Sequence, residues 1–231
     1  MKKAGRCALP LFDNGKARVG RTDVPLMQSS DAAYTWTKRV IDVTFAFIAL
    51  VILMPVLLVV AVGVKMDSTG PVVFRQKRVG RYGNPFIFYK FRSMEVGAED
   101  ARAEILHLNE AEAPLFKMRN DPRVTRLGRW IRKYAVDEIP QLVNVLKGDM
   151  SFVGPRPHLP EEARQYTPEQ SRRLSVIPGI TCLWQVSGPK RISFHEWIAA
   201  DLEYVNRRCL SVDLAIVLRT IKVVLTGEGT C

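Results

Sequence analysis

The strongest feature of the hydropathy pattern is an apolar run without charge over residues 43–64. As a helix rising ~1.5 Å per residue, this run would cross a hydrocarbon core of ~30 Å. Pro55 lies near its middle and cannot donate a hydrogen bond to the carbonyl of Val51, so we expect the helix to break or kink there. Basic residues flank the run on both sides, with Lys38 and Arg39 at its entry, so the positive-inside rule selects neither flank.

Two arrangements of this run remain open from the residues alone. A kinked transmembrane span is one, because transmembrane helices tolerate proline. The other is a re-entrant helix that turns at Pro55 and leaves by the face it entered, since two arms of ~16 Å each reach only half the bilayer depth. A buried helix of a soluble protein is less favoured, because so long an uncharged run needs a large protein to cover it.

The segment after the apolar run alternates short β-branched and aromatic stretches around a Gly-Asn-Pro turn, which predicts a hairpin over residues 72–94. Lys90 and Arg92 alternate with aromatic residues, so we expect both cations on one strand face, where they bind phosphate or are simply solvated. Residues 95–112 are acidic and alanine-rich and predict a solvated helix.

Two further segments predict amphipathic helices. Residues 126–134 place a basic face opposite an apolar one that includes Trp130. Such a helix suits the headgroup layer of a membrane, although a surface helix packed on a core has the same pattern. Residues 210–225 predict a second amphipathic helix, which is too short and too charged to span a bilayer.

Asp137 and Glu138 are the first candidate chemical groups. Pro140 suits the first turn of a helix and Lys147 its end, so we predict a helix over residues 137–147. Asp137 would stand at its N-terminus, where free N–H groups attract anions such as phosphate, and Arg132 would add a phosphate clamp. The alternative for Asp137 is a plain N-cap.

A proline-glycine loop, "GDMSFVGPRP", follows this helix at residues 148–157. Two prolines bracket Arg156, and Gly154 permits close backbone approach. The loop is therefore predicted to be rigid and to present the guanidinium group of Arg156.

Overall charge points to anionic partners. The chain has 34 Lys and Arg against 23 Asp and Glu, a net charge of +11. Phosphate-bearing substrates, nucleic acid and an anionic lipid surface all fit this excess, and the apolar run favours the lipid surface. Residues 1–37 begin with lysines, and their first apolar run comes too late for a secretory signal, so they predict a flexible basic tail.

Several motifs from residue 38 to the C-terminus occur in the order found in one family: "KRVIDV", "DSTGPVVFRQKRVG", "YKFRSM", "DPRVTRLGRWIRK", "DEIPQLVNVLKGDMSFVGPRP" and "PGITCLWQVSG". The chain resembles the bacterial sugar transferases, which are monotopic phosphoglycosyl transferases (polyprenyl-phosphate sugar-1-phosphate transferases). By size it resembles the short exopolysaccharide-initiating members.

The resemblance implies an α+β, mostly helical fold. It places a re-entrant, helix-break-helix membrane hairpin at residues 38–66 and a cytosolic catalytic domain with amphipathic interfacial helices and a small sheet at residues 67–231, after the tail of residues 1–37. The protein would be integral and monotopic, at the cytoplasmic face of the bacterial inner membrane. Its oligomeric state stays open, with a homodimer as one alternative.

The resemblance also implies a two-step reaction. Asp137 attacks the β-phosphorus of a UDP-sugar, releases UMP and forms an aspartyl phosphosugar, from which undecaprenyl phosphate takes the sugar phosphate. Asp137 and Glu138 would hold Mg²⁺, the implied sugar is a hexose (galactose or glucose), and no nucleic acid partner is implied. The candidate substrate and phosphate contacts are basic residues of four segments: Arg75, Lys90, Arg92, Arg132 and Arg156.

Three positions depart from the family pattern. Met54 stands where serine is usual before the buried proline, Tyr134-Ala135 replaces a position that usually has Ser or Thr, and Pro189-Lys190 follows "VSG". A degenerate transferase is therefore one alternative. Another, from a different class, is a non-catalytic, membrane-anchored basic adaptor that binds anionic lipid or nucleic acid.

Overall fold

The computed structural model describes residues 32–110, 116, 118, 120–187 and 193–226, together with two short strands near the N-terminus, β1 (Phe12–Asp13) and β2 (Lys16–Ala17). These two strands pair in antiparallel fashion. Most of the tail predicted for residues 1–37 lies outside the described residues, and so does Pro189-Lys190.

Helix α1 (Ala32–Asp67) contains the whole apolar run and begins six residues before the predicted start. By length and composition it is long and apolar enough to cross a membrane, and no other helix of the described residues is. The helix continues through Pro55 as one element. The predicted break is thus not confirmed, because proline removes a single hydrogen bond while neighbouring turns keep theirs.

The predicted hairpin is confirmed as β3 (Val73–Val79) and β4 (Pro85–Phe91), which pair in antiparallel register. The connection reverses through residues with positive φ, Tyr82 at 59° and Gly83 at 81°. Alternation along β4 buries Phe88 against the core.

Helix α2 (Arg126–Lys133) confirms the first predicted amphipathic helix, and Thr125 caps it by accepting a hydrogen bond from the amide of Gly128 at 2.9 Å. Helix α3 (Gln141–Lys147) ends at Gly148, whose φ of 93° suits glycine. Between them residues 136–138 form a 3₁₀ turn, so the helix predicted from residue 137 begins four residues later.

The helix predicted over residues 95–112 is wrong for its described part. Residues 95–110 form turns with two short 3₁₀ segments, Asp100–Arg102 and Leu106–Leu108. Gly97 adopts a φ of 83°, which interrupts helical geometry, and the sequence has no apolar stripe to pack.

The rest of the domain is built on a short parallel pair, β5 (Ser151–Val153) and β6 (Gly179–Thr181). Its helices, including the second predicted amphipathic one, are α4 (Pro160–Ala163), α5 (Pro168–Ser171), α6 (Phe194–Arg207) and α7 (Leu210–Thr226). Two further 3₁₀ segments are Arg172–Ser175 and Trp184–Val186. The described chain is thus mostly helical with small sheets, as predicted.

The core joins α1 to the domain on both sides of Pro55. Before it, Ala46 packs in a cluster with Phe88 of β4 and Val145 of α3. After it, Val60 packs in a cluster with Ile131 of α2. A third cluster lies around β5, α6 and α7 and contains Val153, Leu183, Tyr204 and Ile216.

Two helices leave apolar faces exposed. The outer face of α1 carries Phe45, Phe47, Ile48, Val51, Ile52, Leu58, Val59 and Val62. The outer face of α7 carries Leu210, Leu214, Leu218, Ile221 and Leu225. Apolar patches of this extent indicate contact with a partner or a membrane.

Candidate active site

The acidic pair Asp137–Glu138 lies in the 3₁₀ turn between α2 and α3. The turn follows Ala135, whose left-handed φ of 53° reverses the chain after α2. Pro140, not Asp137, occupies the N-cap of α3. The N-cap interpretation of Asp137 is therefore wrong. Asp137 is instead buried, with 5% of the residue exposed to solvent.

Two cations contact the acidic pair from different segments. Lys90 Nζ lies 2.7 Å from Glu138 Oε1 and 3.6 Å from Asp137 Oδ2. Arg156 Nη2 reaches the same Glu138 Oε1 at 2.8 Å. Glu138 is thus held by two cations at one oxygen, whereas Asp137 has a single, longer contact within the described part of the chain, the one with Lys90.

The two adjacent carboxylates are electrostatically different. Burial would raise the pKa of Glu138, but the charges of Arg156 and then Lys90 outweigh it and hold that pKa well below its ordinary value. Burial raises the pKa of Asp137 above its ordinary value, and Lys90 only partly opposes it. Glu138 is therefore the more readily ionised member of the pair, and Asp137 is the more basic one.

A third predicted cation, Arg132 at the end of α2, also acts on Asp137, because its charge favours the ionised carboxylate. Its Nη1 atom is buried and has no hydrogen-bond partner among the described residues. Buried donors in native proteins are nearly always paired, so Arg132 Nη1 is suited to donate a hydrogen bond to an oxygen atom of a ligand.

Arg78 on β3 is a member of the cluster that the sequence analysis did not predict as a site residue. Burial and then the nearby charge of Arg156 lower its pKa to about 10. Arg78 and Lys90 flank the ring of Phe88, with Cζ and Nζ 5.4 and 5.7 Å from its centroid. Alternation along the hairpin, which places Arg78 and Lys90 on one face, is the signal that would have identified it.

The rigid loop after α3 is confirmed at Gly154. Its amide donates to the carbonyl of Thr181 at 3.1 Å, and a Cβ at this position would lie 2.5 Å from the carbonyl oxygen of Ile177. Only glycine permits this approach, which fixes the loop at the point where it turns toward Arg156.

Arg92 does not join the cluster, although it lies two residues after Lys90. Strand β4 ends at Phe91, and the buried Arg92 guanidinium turns to the last turn of α1. It donates to the carbonyls of Val64 at 3.2 Å and Ser68 at 2.6 Å, and also to that of Pro71. In this structure the Arg92 donors cap a helix, and nothing in these contacts supports the prediction that Arg92 binds phosphate.

Arg75 also lies apart from the acidic pair. It is exposed on the hairpin face opposite Lys90, with Cζ 6.0 Å from the ring centroid of its cross-strand partner Tyr89. The structure therefore gives it no contact with Asp137 or Glu138.

The carboxylates of the acidic pair suit a magnesium ion that is bound largely through substrate. The described residues contain no group of three or more His, Cys, Asp or Glu side chains arranged to hold a metal. Mg²⁺ commonly binds one or two protein carboxylates together with water and substrate phosphates, so Asp137 and Glu138 fit this ion better than one that needs a full protein cage.

Comparison with known proteins decides the family. Residues 33–227 match the family model for bacterial sugar transferases. The chain belongs to this family. The family prediction made from the motifs is therefore confirmed.

Three relatives of this chain have informative names. The chain is 47% identical to "Galactosyl transferase CpsE" of Streptococcus agalactiae over 193 residues, and this match covers 83% of the chain and 43% of the relative. It is 41% identical to "UDP-glucose:undecaprenyl-phosphate glucose-1-phosphate transferase" of Caulobacter vibrioides, covering 83% and 71% of the two chains. It is 37% identical to "Exopolysaccharide production protein ExoY" of Rhizobium meliloti, covering 84% and 87%. The chain spans about half the length of several curated relatives that it matches.

Proposed function

We propose that this sugar transferase moves a sugar-1-phosphate from a UDP-sugar to undecaprenyl phosphate and releases UMP, as the first membrane step of exopolysaccharide or related glycan synthesis. The observation that carries the proposal is the acidic pair surrounded by Lys90, Arg132 and Arg156. Two carboxylates among an excess of cations suit a diphosphate substrate, whose negative charge the cations offset.

Asp137 is the nucleophile in this proposal. One of its oxygens attacks the β-phosphorus of the UDP-sugar, and the bond from that phosphorus to the bridging oxygen breaks, so that UMP leaves with the bonding electrons. Glu138 is a poor candidate because Lys90 and Arg156 already engage Oε1. The more basic Asp137 has only the longer Lys90 contact, so its lone pairs are more available.

The second step regenerates the carboxylate. A phosphate oxygen of undecaprenyl phosphate attacks the same phosphorus, and the bond to Asp137 breaks. Lys90 and the open donor of Arg132 orient the phosphoryl oxygens in both steps. Mg²⁺ bound by Asp137 and Glu138 would supply neutralisation of the diphosphate charge.

A membrane location follows from the acceptor and from α1. One domain contacts both ends of the apolar run: Arg39 donates to the carbonyl of Leu146 at 2.9 Å, and Asp67 accepts from the amide of Leu127 at 3.1 Å. A straight span would place these two ends on opposite sides of the bilayer. The contacts therefore support a monotopic placement with both flanks at the cytoplasmic face. A re-entrant form of this placement needs a kink at Pro55, which a helix that continues through proline can have.

The placement is tested by labelling single cysteines at two exposed positions, Trp36→Cys and Met66→Cys, in a chain that lacks its native cysteines. An impermeant maleimide should label both positions from the cytoplasmic side of inverted vesicles. Labelling of the two positions from opposite sides would establish a span instead.

Hexoses are the favoured donors, because the relatives are named for galactose and glucose transfer. UMP release is the direct test, with detergent-purified protein, undecaprenyl phosphate, Mg²⁺ and a panel of UDP-sugars. One UDP-hexose should give release, and Asp137→Asn should lower it by a factor on the order of 10³ or more, because the nucleophile is lost.

A matched control is Asp100→Asn, which removes an exposed acid from a different adjacent acidic pair, Glu99–Asp100, and should leave release unchanged. If folded wild-type protein releases no UMP with any donor of the panel but still binds anionic vesicles, the result contradicts the proposed reaction and favours the adaptor or the degenerate transferase.

A further inference from the structure

The loop that carries Arg156 is held by its backbone carbonyls, each bonded to a different donor. From residue 155 to 158 the carbonyls accept, in order, from the amide of Gly179 at 3.0 Å, Arg173 Nη2 at 2.7 Å, Arg78 Nη1 at 3.2 Å and the amide of Val79 at 3.0 Å. Such a loop has few ways to move without losing a bond.

The carbonyl of Arg156 itself is held by a buried ion pair. Arg173 is 1% exposed, and its guanidinium donates to Asp201, which is fully buried in α6, with Nε 3.0 Å from Oδ2. It also donates to the hydroxyl of Tyr166. The planar guanidinium is thus fixed on two sides before it reaches the carbonyl of Arg156.

We propose that the Arg173–Asp201 pair is a positioning element for Arg156. Among the described residues, neither Arg173 nor Asp201 contacts Asp137 or Glu138. The pair acts instead through the backbone of the loop that carries Arg156. Proline on both sides of Arg156 fixes its neighbours, so the hydrogen bond to its carbonyl sets the direction in which its side chain reaches Glu138. The kinetic side of this inference rests on the proposed function.

The alternative is that the pair only stabilises the fold. Removing one partner would confuse the two roles, because it leaves an unpaired buried charge. The informative variant is therefore the double Arg173→Met/Asp201→Leu, since apolar residues of similar volume commonly replace a buried ion pair without loss of stability. This variant removes the donor to the Arg156 carbonyl and leaves no charge behind.

The first readout does not depend on any reaction. Hydrogen–deuterium exchange of the peptide covering residues 151–159 reports on the loop that carries Arg156, through amides that include the hydrogen-bonded ones of Gly154 and Leu159. The double variant should exchange at least about tenfold faster there, with the thermal unfolding temperature and the exchange of α2 close to wild type. Unchanged exchange in this peptide would overturn the proposal.

A matched control is Arg123→Met/Asp121→Leu. Arg123 also pairs with an aspartate, at 2.6 Å, and also donates to a backbone carbonyl, that of Ala98 at 2.7 Å. It holds a different segment, so this control should leave exchange of residues 151–159 unchanged. Equal acceleration in both variants would mean general loosening and would contradict the proposal.

The second readout is kcat/KM for the UDP-sugar in a cycle with Arg156→Ala. The double variant Arg173→Met/Asp201→Leu and the single variant Arg156→Ala should each lower kcat/KM about tenfold, mainly through KM. The triple variant should have a kcat/KM within about twofold of that of Arg156→Ala. Multiplication of the two effects would contradict positioning through Arg156. Absence of UMP release in wild type would reject the proposed function instead, and the exchange result would still decide the inference.

Discussion

Lys90 and Arg92 lie two residues apart in sequence, yet the two regions that they reach differ in kind. At the acidic pair, Lys90 meets carboxylates, and the neighbouring Arg132 keeps a donor without a partner in the described residues. At the end of α1, Arg92 meets only backbone carbonyls and a serine hydroxyl. A cation whose donors are used by the backbone is structural, whereas one beside carboxylates with open donors nearby can bind a ligand.

The largest effect on stability is expected at the end of α1. Arg92→Met removes a charged donor from the carbonyls of Val64 and Ser68, and should lower the free energy of unfolding by about 3 kcal/mol. UMP release per folded molecule should stay within about threefold of wild type. Chemical denaturation in detergent, with release measured at low temperature, checks both quantities.

The control for this variant is Arg75→Met, an exposed arginine of the same hairpin, which should change stability by less than about 0.5 kcal/mol. If the Arg92→Met protein stays folded but loses UMP release, Arg92 takes part in the reaction after all.

The opposite outcome is expected at Lys90. Lys90→Met removes the one described contact of Asp137 and half of the cation pair on Glu138, so UMP release should fall by a factor on the order of 10². Unfolding should change little, because Lys90 is partly exposed. Steady-state release beside Lys77→Met, an exposed lysine on the other hairpin face, gives the comparison. A normal rate would show that the carboxylates need no cation from β4.

A smaller effect concerns pH and the Arg173–Asp201 pair. Burial raises the pKa of Asp201 to about 6, with Arg173 opposing the rise. A raised native pKa means that the protonated form stabilises the fold at low pH, and this contribution is lost as the pH rises through 6. Between pH 5 and pH 7, wild type should therefore lose about 1 kcal/mol of unfolding free energy relative to Asp201→Asn. Parallel stability curves for the two proteins would contradict the assignment.

The sequence predicted the local parts of this picture. Periodicity and turn residues placed the hairpin and α2, and α3 ends at Lys147 as predicted. The structure brings together five predicted site residues: Asp137, Glu138, Lys90, Arg132 and Arg156. They could be predicted as a set because the family motifs contain them. The acidic pair itself lies before the helix that was predicted to begin with it, since Ala135 adopts a left-handed conformation that no propensity indicates.

The remaining parts depend on contacts that are distant in sequence. Arg92 lies apart from Lys90 because strand alternation ends with β4, one residue before it, where the helix terminus of α1 offers free carbonyls. Arg173 and Asp201 have no motif that marks them, and their role is visible only once the loop is folded over them. Helix α1 packs on the domain on both sides of Pro55, and this packing favours a continuous helix. The prediction of a break considered only the local geometry of proline.

The central claim is that Asp137 becomes covalently linked to the sugar phosphate. The most direct measurement is a single-turnover incubation with the preferred UDP-sugar in the absence of undecaprenyl phosphate, followed by UMP quantification and mass spectrometry of the peptide that contains Asp137. We predict a burst of one UMP per active molecule and a mass increase of one sugar phosphate on that peptide, both absent in Asp137→Asn. UMP release only when undecaprenyl phosphate is present, with an unmodified peptide, would contradict the account and indicate direct displacement.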